Sequence, residues 1–316
     1  MKTNLKKIIM ILGLPITYFS ALWLRFTSNG QRLQSNERIF SILGILPILD
    51  HYYQPLINPK KHLKKSLRSD RHLKGIDWNI EKQLEILHQF HFMEELKKFP
   101  MEKRKDTEYY YNNNMYTSGD SEYLYNMIRL FKPKKIIEIG SGNSTLMAIN
   151  AIKENKIEFT EYQCQHICIE PYEQPWLEKV DVELKRNKVE ELDLSFFNIL
   201  EENDILFIDS SHVIRPQGDV LFEILEILPI LNSGVIIHIH DIFTPKDYLD
   251  EWIYQDKKLW NEQYLLEAFL SFNTNFEIIG AVNYLSHHHR EVFGHKCPVF
   301  KSQPGREPGA FWIRKV

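Results

Sequence analysis

One stretch constrains this chain more than any other: Lys135-Ile-Ile-Glu-Ile-Gly-Ser-Gly-Asn-Ser-Thr145, where β-branched residues run into a glycine turn and directly on into a helical pattern. A strand that is apolar at nearly every position must be covered on both faces, which points to a parallel sheet flanked by helices. Glycines at 140 and 142 let the backbone approach a bound group closely, and free amides at the start of the next helix attract that group's polar atoms. Gly140, Ser141, Gly142, Asn143 and Ser144 therefore form a predicted ligand turn.

The rest of the C-terminal region repeats the alternation. Strands are predicted at 136–140, 166–170, 182–184, 204–209, 235–241, 276–282 and 310–314, with helices at 145–154, 175–180, 217–231 and 259–272. Seven strands with such crossovers predict a doubly wound, mostly parallel α/β sheet, preceded by a helical N-terminal region. A domain covering 106–316 is expected after a basic and amphipathic region at 51–105. In that region apolar residues from Asn79 to Phe99 recur at helical spacing up to Pro100.

Residues 1–50 read differently. Lys2, Lys6 and Lys7 precede an uncharged run from Ile8 to Leu24, closed by Arg25; Gly13 and Pro15 interrupt it, and a second apolar stretch, 39–49, is too short to cross a bilayer. No small-residue cleavage pattern follows the run, so contact with a membrane through residues 8–49, shallow or re-entrant, is expected rather than removal of a leader. Seven Lys and Arg residues between Lys60 and Lys74 suit an anionic surface, or equally a solvated helix face. The expected location is the cytoplasmic face of a membrane, with a soluble cytoplasmic protein as the alternative. A formal net charge of -3 gives no attraction to phosphate backbones, which argues against nucleic acid, and three cysteines without a CxxC pair argue against a disulfide framework or zinc ribbon.

The turn's neighbours narrow its ligand. A dinucleotide fingerprint would place a third glycine where Thr145 stands, whereas Glu138, two residues before the turn, suits a cationic amino group. Glu170, closing the second strand in Ile169-Glu170-Pro171, is placed to accept the hydroxyls of a ribose. The order Glu138-x-Gly140-x-Gly142-x-Ser144, then Glu170, then Asp209 after a fourth strand, resembles class I S-adenosylmethionine-dependent methyltransferases, with Ser144 in place of the usual third glycine. More closely, the chain is similar to uncharacterised bacterial methyltransferase-domain proteins associated with surface-glycan or secondary-metabolite genes. The resemblance covers about Tyr116 to the end, and implies an antiparallel last strand at Ala310–Arg314. It implies methionine and carboxylate groups near Gly140 and Gly142, ribose at Glu170, adenine beside the loops after the third and fourth strands, and a supporting role for Asp120 at the amino-acid end.

Chemistry would come from Asp209-Ser-Ser-His212 and His238-Ile-His240-Asp241, at the carboxyl edge where open α/β sheets bind ligands. Methyl transfer needs a positioned acceptor and a general base, and His240 or His212 is the candidate base beside Asp209 and Asp241. A convergence of Asp209, His240 and Asp241 would be similar to the site of metal-dependent catechol-type O-methyltransferases and would take Mg2+ or Mn2+, although histidine is a mediocre magnesium ligand. His238 is expected to be a satisfied core histidine. His287, His288, His289 and His295 are expected in a solvated loop able to cover the acceptor. Trp252, Trp260, Tyr264 and Phe269 are expected to pack on the sheet, with an acceptor pocket as the other use.

The expected function is transfer of a methyl group from S-adenosylmethionine to a hydroxyl of a small-molecule or saccharide acceptor at the membrane surface. The alternatives are a nicotinamide-dependent oxidoreductase and a non-catalytic membrane-associated adaptor that keeps the fold.

Overall fold

A computed structural model describes residues 2–28, 34–172 and 174–316, so part of the predicted 8–49 membrane-contacting stretch lies outside the described residues. Two compact units result: residues 1–66 with 253–259, and residues 67–252 with 260–316.

In the first unit, helices α1 (Lys2–Leu12), α2 (Leu14–Thr27) and α3 (Gln34–Leu43) follow one another. The expected interruption falls at Gly13. Pro15, in the first turn of α2, has no amide to continue the ladder of α1, and Lys6–Leu12 and Leu14–Thr27 meet at a bend of 55°. Among the described residues no single helix is long and apolar enough to cross a membrane, and this bent pair passes by length and composition only.

The second unit is built on seven strands: β1 (Lys135–Ile139), β2 (Gln165–Ile169), β3 (Glu183–Lys185), β4 (Ile205–Ile208), β5 (Ile236–Ile239), β6 (Phe276–Ala281) and β7 (Phe311–Lys315). Their order is β3-β2-β1-β4-β5-β7-β6; the first five are parallel, and β7 runs antiparallel to both neighbours. Each apolar run alternates between two cores. Ile136, Phe207, Ile236 and Trp312 face one layer of helices, and Ile137, Leu206, Ile237 and Ile313 face the other. Because the chain moves outward from β1 to β3 on one side and from β4 onward on the other, the carboxyl ends of β1 and β4 border the crevice where such sheets take ligands.

The first unit ends at Ser66, and the 67–105 segment shares the core of the sheet: Leu87, Phe90 and Leu96 are buried there, and Gln83 Oε1 accepts the Ala281 amide at 2.7 Å. Several expectations need correction. The single helix expected over 79–99 is α4 (Ile80–Gln89) followed by a separate turn at Met93–Leu96, since Phe90 is extended and turns its ring into the core. That turn is tied down by Glu95, whose carboxylate takes two donors from the buried Arg129 of α5 (Asp120–Phe131) at 3.0 and 3.1 Å. The histidine-bearing segment after β6 is not a loop. It forms Val282–His288, Arg290–Lys296 and Pro298–Ser302, all helical, with His287 on Glu307 at 2.9 Å and His288 on Asp70 at 2.7 Å.

The start of α5 is fastened to this helical segment by Glu122, which accepts the amides of Val299, Phe300 and Gly119 at 2.8, 2.9 and 3.0 Å. Burial pushes its carboxyl up to about 7 against the opposing effect of these three amides. With the folded value above the unfolded one of about 4.3, the group's contribution to stability is full below that pH and is lost as the pH rises through the folded value. Melting temperatures are therefore expected to fall between about pH 5 and pH 8, and Glu122→Gln, which has no charge to desolvate, should flatten that fall. A slope unchanged in the variant would contradict the assignment.

Candidate active site

At the carboxyl end of β1, the chain turns at Gly140 with φ +76, a region closed to most side chains. A Cβ there would stand 1.9 Å from the Asp209 carbonyl oxygen, so glycine is what lets the ends of β1 and β4 close on each other. Gly142 differs: a Cβ would meet nothing within 4 Å, leaving open space above the turn. The amide of Gly142 is held by Thr145 Oγ1 at 3.0 Å, so Thr145, where a dinucleotide motif would have glycine, caps helix α6 (Asn143–Glu158).

A cavity of about 260 Å³ opens beside this turn, lined by Gly140, Glu170, Lys188–Glu190 and Asp209–Ser211 among others. Glu170 forms its wall, with its carboxylate fixed by the amides of Ser141 at 3.2 Å and Tyr172 at 3.0 Å. Residues of the loops after β3 and β4 flank the cavity.

Glu138 does not face the turn. Strand alternation sends its side chain into the layer beneath α6, where Oε1 accepts from the Ser144 hydroxyl at 2.6 Å and Oε2 meets His166 Nε2 at 2.8 Å, with Cys168 Sγ at 3.6 Å. Burial works against charge on His166, but Cys168 and the Glu138 carboxylate outweigh it and hold the imidazolium up to about 10. Glu138 thereby fixes the turn from below through Ser144, rather than offering a free carboxylate to a bound amine. Asp120 is likewise engaged: its oxygens accept the Ala310 and Gly309 amides at 2.7 and 3.2 Å, tying α5 to the entry of β7. Burial pushes its carboxyl up to about 6.

At the mouth of β4 and β5, Asp209, His212 and Asp241 come together with ligand atoms all within 4.8 Å of one another. His212, one of the two candidate bases, stands in this trio where the candidate cation site was expected to hold His240. Its Nε2 lies 3.3 Å from Asp209 and 3.6 Å from Asp241, and its Nδ1 is 2.8 Å from Glu262 Oε2. His212 and Asp241 both adopt left-handed backbone conformations (φ 60 and 57), which aim these side chains at a common point. Trp260 covers the imidazole, with ring centroids 4.3 Å apart. Burial disfavours the His212 cation, yet Asp209, Glu262 and Asp241 more than compensate and hold it well above the usual histidine range. Burial similarly raises Asp209, but His240 and His212 prevail and keep it below the usual carboxylate range.

His240 stands behind this group, 3.4 Å from Asp241 Oδ1, and is also raised: burial opposes its charge, while Asp241, Asp209 and Asp120 favour it. His238 is buried but not satisfied. Both ring nitrogens lack a partner, the ring stacks on Phe207 at 4.1 Å, and burial, reinforced by His240, keeps it neutral. Among the aromatic candidates, Phe269 packs on the sheet core as expected, whereas Trp260 lies on the His212 ring.

Glu262 was missed from the sequence. An acid in the first turn of α7 (Glu262–Leu270) has the signature of an ordinary residue complementing the helix dipole, and nothing local shows that it reaches His212, fifty residues earlier. The arrangement has four carboxylates around two histidines, and a partly enclosed site of that charge favours a cationic ligand.

A family model described as "Methyltransferase domain" matches residues 137–242, the span from β1 to just past Asp241. An uncharacterized protein of Archaeoglobus fulgidus is 32% identical over 167 residues, which cover 49% of this chain and 74% of that protein.

Proposed function

Since this chain belongs to the methyltransferase-domain family of class I S-adenosylmethionine type, we propose that it methylates a hydroxyl of a small-molecule or saccharide acceptor with His212 as general base. One juxtaposition supports this reading: Asp209 both lines the cavity beside the glycine turn and stands 3.3 Å from His212 Nε2, so the nucleoside site and the base share a wall.

S-adenosylmethionine suits the residues present. The open space over Gly142 leaves room for a chain that a side chain would block, and the cavity, smaller than the roughly 300–1,000 Å³ of whole-ligand pockets, matches the nucleoside end alone. When bound, it supplies a methyl group on a sulfonium, a leaving group that needs no proton. Glu170 would accept the ribose hydroxyls, Lys188–Glu190 and Asp209–Ser211 would flank the base, and the carboxylates at the mouth of β4 and β5 would favour the positive charge. A hydroxyl acceptor must lose its proton as it reacts, whereas a neutral amine already carries a free lone pair. An imidazole held at the crevice by a buried carboxylate therefore favours oxygen over nitrogen. In this reading His212 Nε2 takes the acceptor proton, Glu262 steadies the imidazolium through Nδ1, and Trp260 keeps water from the ring.

A second reading has a specific basis. Asp209, His212 and Asp241 are close enough to share a divalent cation, Mg2+ or Mn2+ by their oxygen content, with His212 bound in its neutral form. Chelation separates the two: with His212 as base, turnover is expected to survive exhaustive EDTA treatment, and loss restored by Mg2+ or Mn2+ would establish the metal instead.

The direct test is calorimetry with S-adenosylmethionine and its demethylated product, followed by incubation with extracted cell-envelope saccharides and mass analysis for added methyl groups. Binding of a nicotinamide dinucleotide instead, or cofactor binding without transfer to any hydroxyl, would overturn the proposal. Glu170→Ala is expected to weaken S-adenosylmethionine by about 10–100-fold, the range for hydrogen bonds to a charged group, while kcat at saturation stays within about threefold.

A further inference from the structure

We infer that the N-terminal unit is a monotopic membrane anchor, seated in one leaflet of a bilayer with anionic headgroups. The first reason is the distribution of apolar surface. From Ile8 to Phe26 every large apolar side chain except Leu24 is exposed by 47% or more, and Ile8, Ile9, Met10, Ile11 and Leu12 are exposed consecutively. Five successive residues pass right round a helix of 3.6 residues per turn, so α1 is not an amphipathic helix with one stripe awaiting a protein core. A helix apolar on all sides is stable only inside a large core or in hydrocarbon, and the described residues of this unit provide no such core.

The second reason is charge. No acidic residue precedes Glu37; Lys6 and Lys7 lie at one end of the apolar run and Arg25 at the other, and Lys60, Lys61, Lys64 and Lys65 are exposed in the same unit. Such basic residues beside apolar helices complement phosphatidylglycerol-like headgroups. The third reason is length. At 1.5 Å per residue the two arms reach only about 10 and 21 Å, each short of a hydrocarbon core of about 30 Å. Cations at both ends give no preference for a crossing, and the 55° bend at Gly13 lets both ends stay near one headgroup layer.

The full chain, purified in detergent and diluted into preformed vesicles of phosphatidylcholine with about 30% phosphatidylglycerol, is expected to float with them, about ten-fold more tightly than with phosphatidylcholine alone. The triple variant Ile9→Glu/Ile16→Glu/Phe19→Glu should remain at the bottom of the gradient, with the melting transition of the second unit unchanged. In a Cys164→Ser background, Lys6→Cys and Arg38→Cys should each react with an impermeant maleimide added outside, and Ile16→Cys should not. A chain that stays unbound as a defined oligomer without detergent would show that a second copy covers these faces. Equal binding to neutral vesicles would remove the role of the lysines, and protection of Lys6→Cys or Arg38→Cys would mean that the segment crosses the bilayer; each of these outcomes overturns the inference.

Discussion

Replacing His212 by Gln is expected to lower kcat for methyl transfer by about 10²–10⁴-fold, the range for loss of a positioned general base, while S-adenosylmethionine affinity stays within about threefold. The amide keeps a polar side chain of similar reach against Glu262 but cannot take a proton. Because Asp209, Glu262 and Asp241 overcome burial and hold the imidazolium well above the usual range, the free base grows only as the pH rises. The rate, kcat/KM, should therefore climb on the alkaline side of neutrality. Glu262→Gln removes one of the carboxylates that raise His212, so the climb should move to lower pH, a shift that a purely structural role for Glu262 would not produce. A His212→Gln enzyme that keeps its turnover, or a Glu262→Gln profile that stays in place, would remove the base from His212.

Gly140→Ala should have the largest effect on folding. Its Cβ would stand 1.9 Å from a backbone oxygen, that of Asp209, with no flexible side chain to yield, and φ +76 is itself unfavourable to alanine. To relieve the clash, the ends of β1 and β4 must part, breaking the bond from the Asp209 amide to the Ile139 carbonyl at 2.9 Å and displacing Asp209 from the site. A loss of at least about 3 kcal/mol in denaturant unfolding is expected, combining backbone strain with overpacking, together with loss of measurable cofactor binding. Gly142→Ala is the informative contrast. Its φ of -172 is extended backbone and its Cβ meets no protein atom, so stability should change by less than about 1 kcal/mol while cofactor affinity falls. Equal loss of stability in both variants would mean that the turn is not shaped around a ligand.

The two glycines show how far local sequence reasoning reaches. Their spacing after a β-branched run predicts a ligand turn without telling them apart, whereas in the structure one lets the ends of β1 and β4 close and the other faces open space. Glu138 and Glu170 make the same point with carboxylates. Both sit near the end of a strand beside the turn, yet Glu138 is committed to Ser144 and His166 beneath the helix and Glu170 stands in the cavity wall. Asp120, which the resemblance sets at the amino-acid end of the ligand, accepts the amides of Gly309 and Ala310.

Strand and helix periodicity in the sequence determined the seven strands, the parallel sheet and the position of the glycine turn, because burial on two faces leaves a mark at every residue of an element. Tertiary structure alone decided that His212 reaches both Asp209 and Asp241 while His240 stands behind Asp241, that Glu262 lies behind His212, and that residues 67–105 belong to the sheet's unit. These outcomes depend on which side chains of distant segments face one another across the crevice, and that pairing is set by the packing of whole elements and by backbone turns such as those at His212 and Asp241, not by any pattern within a single segment.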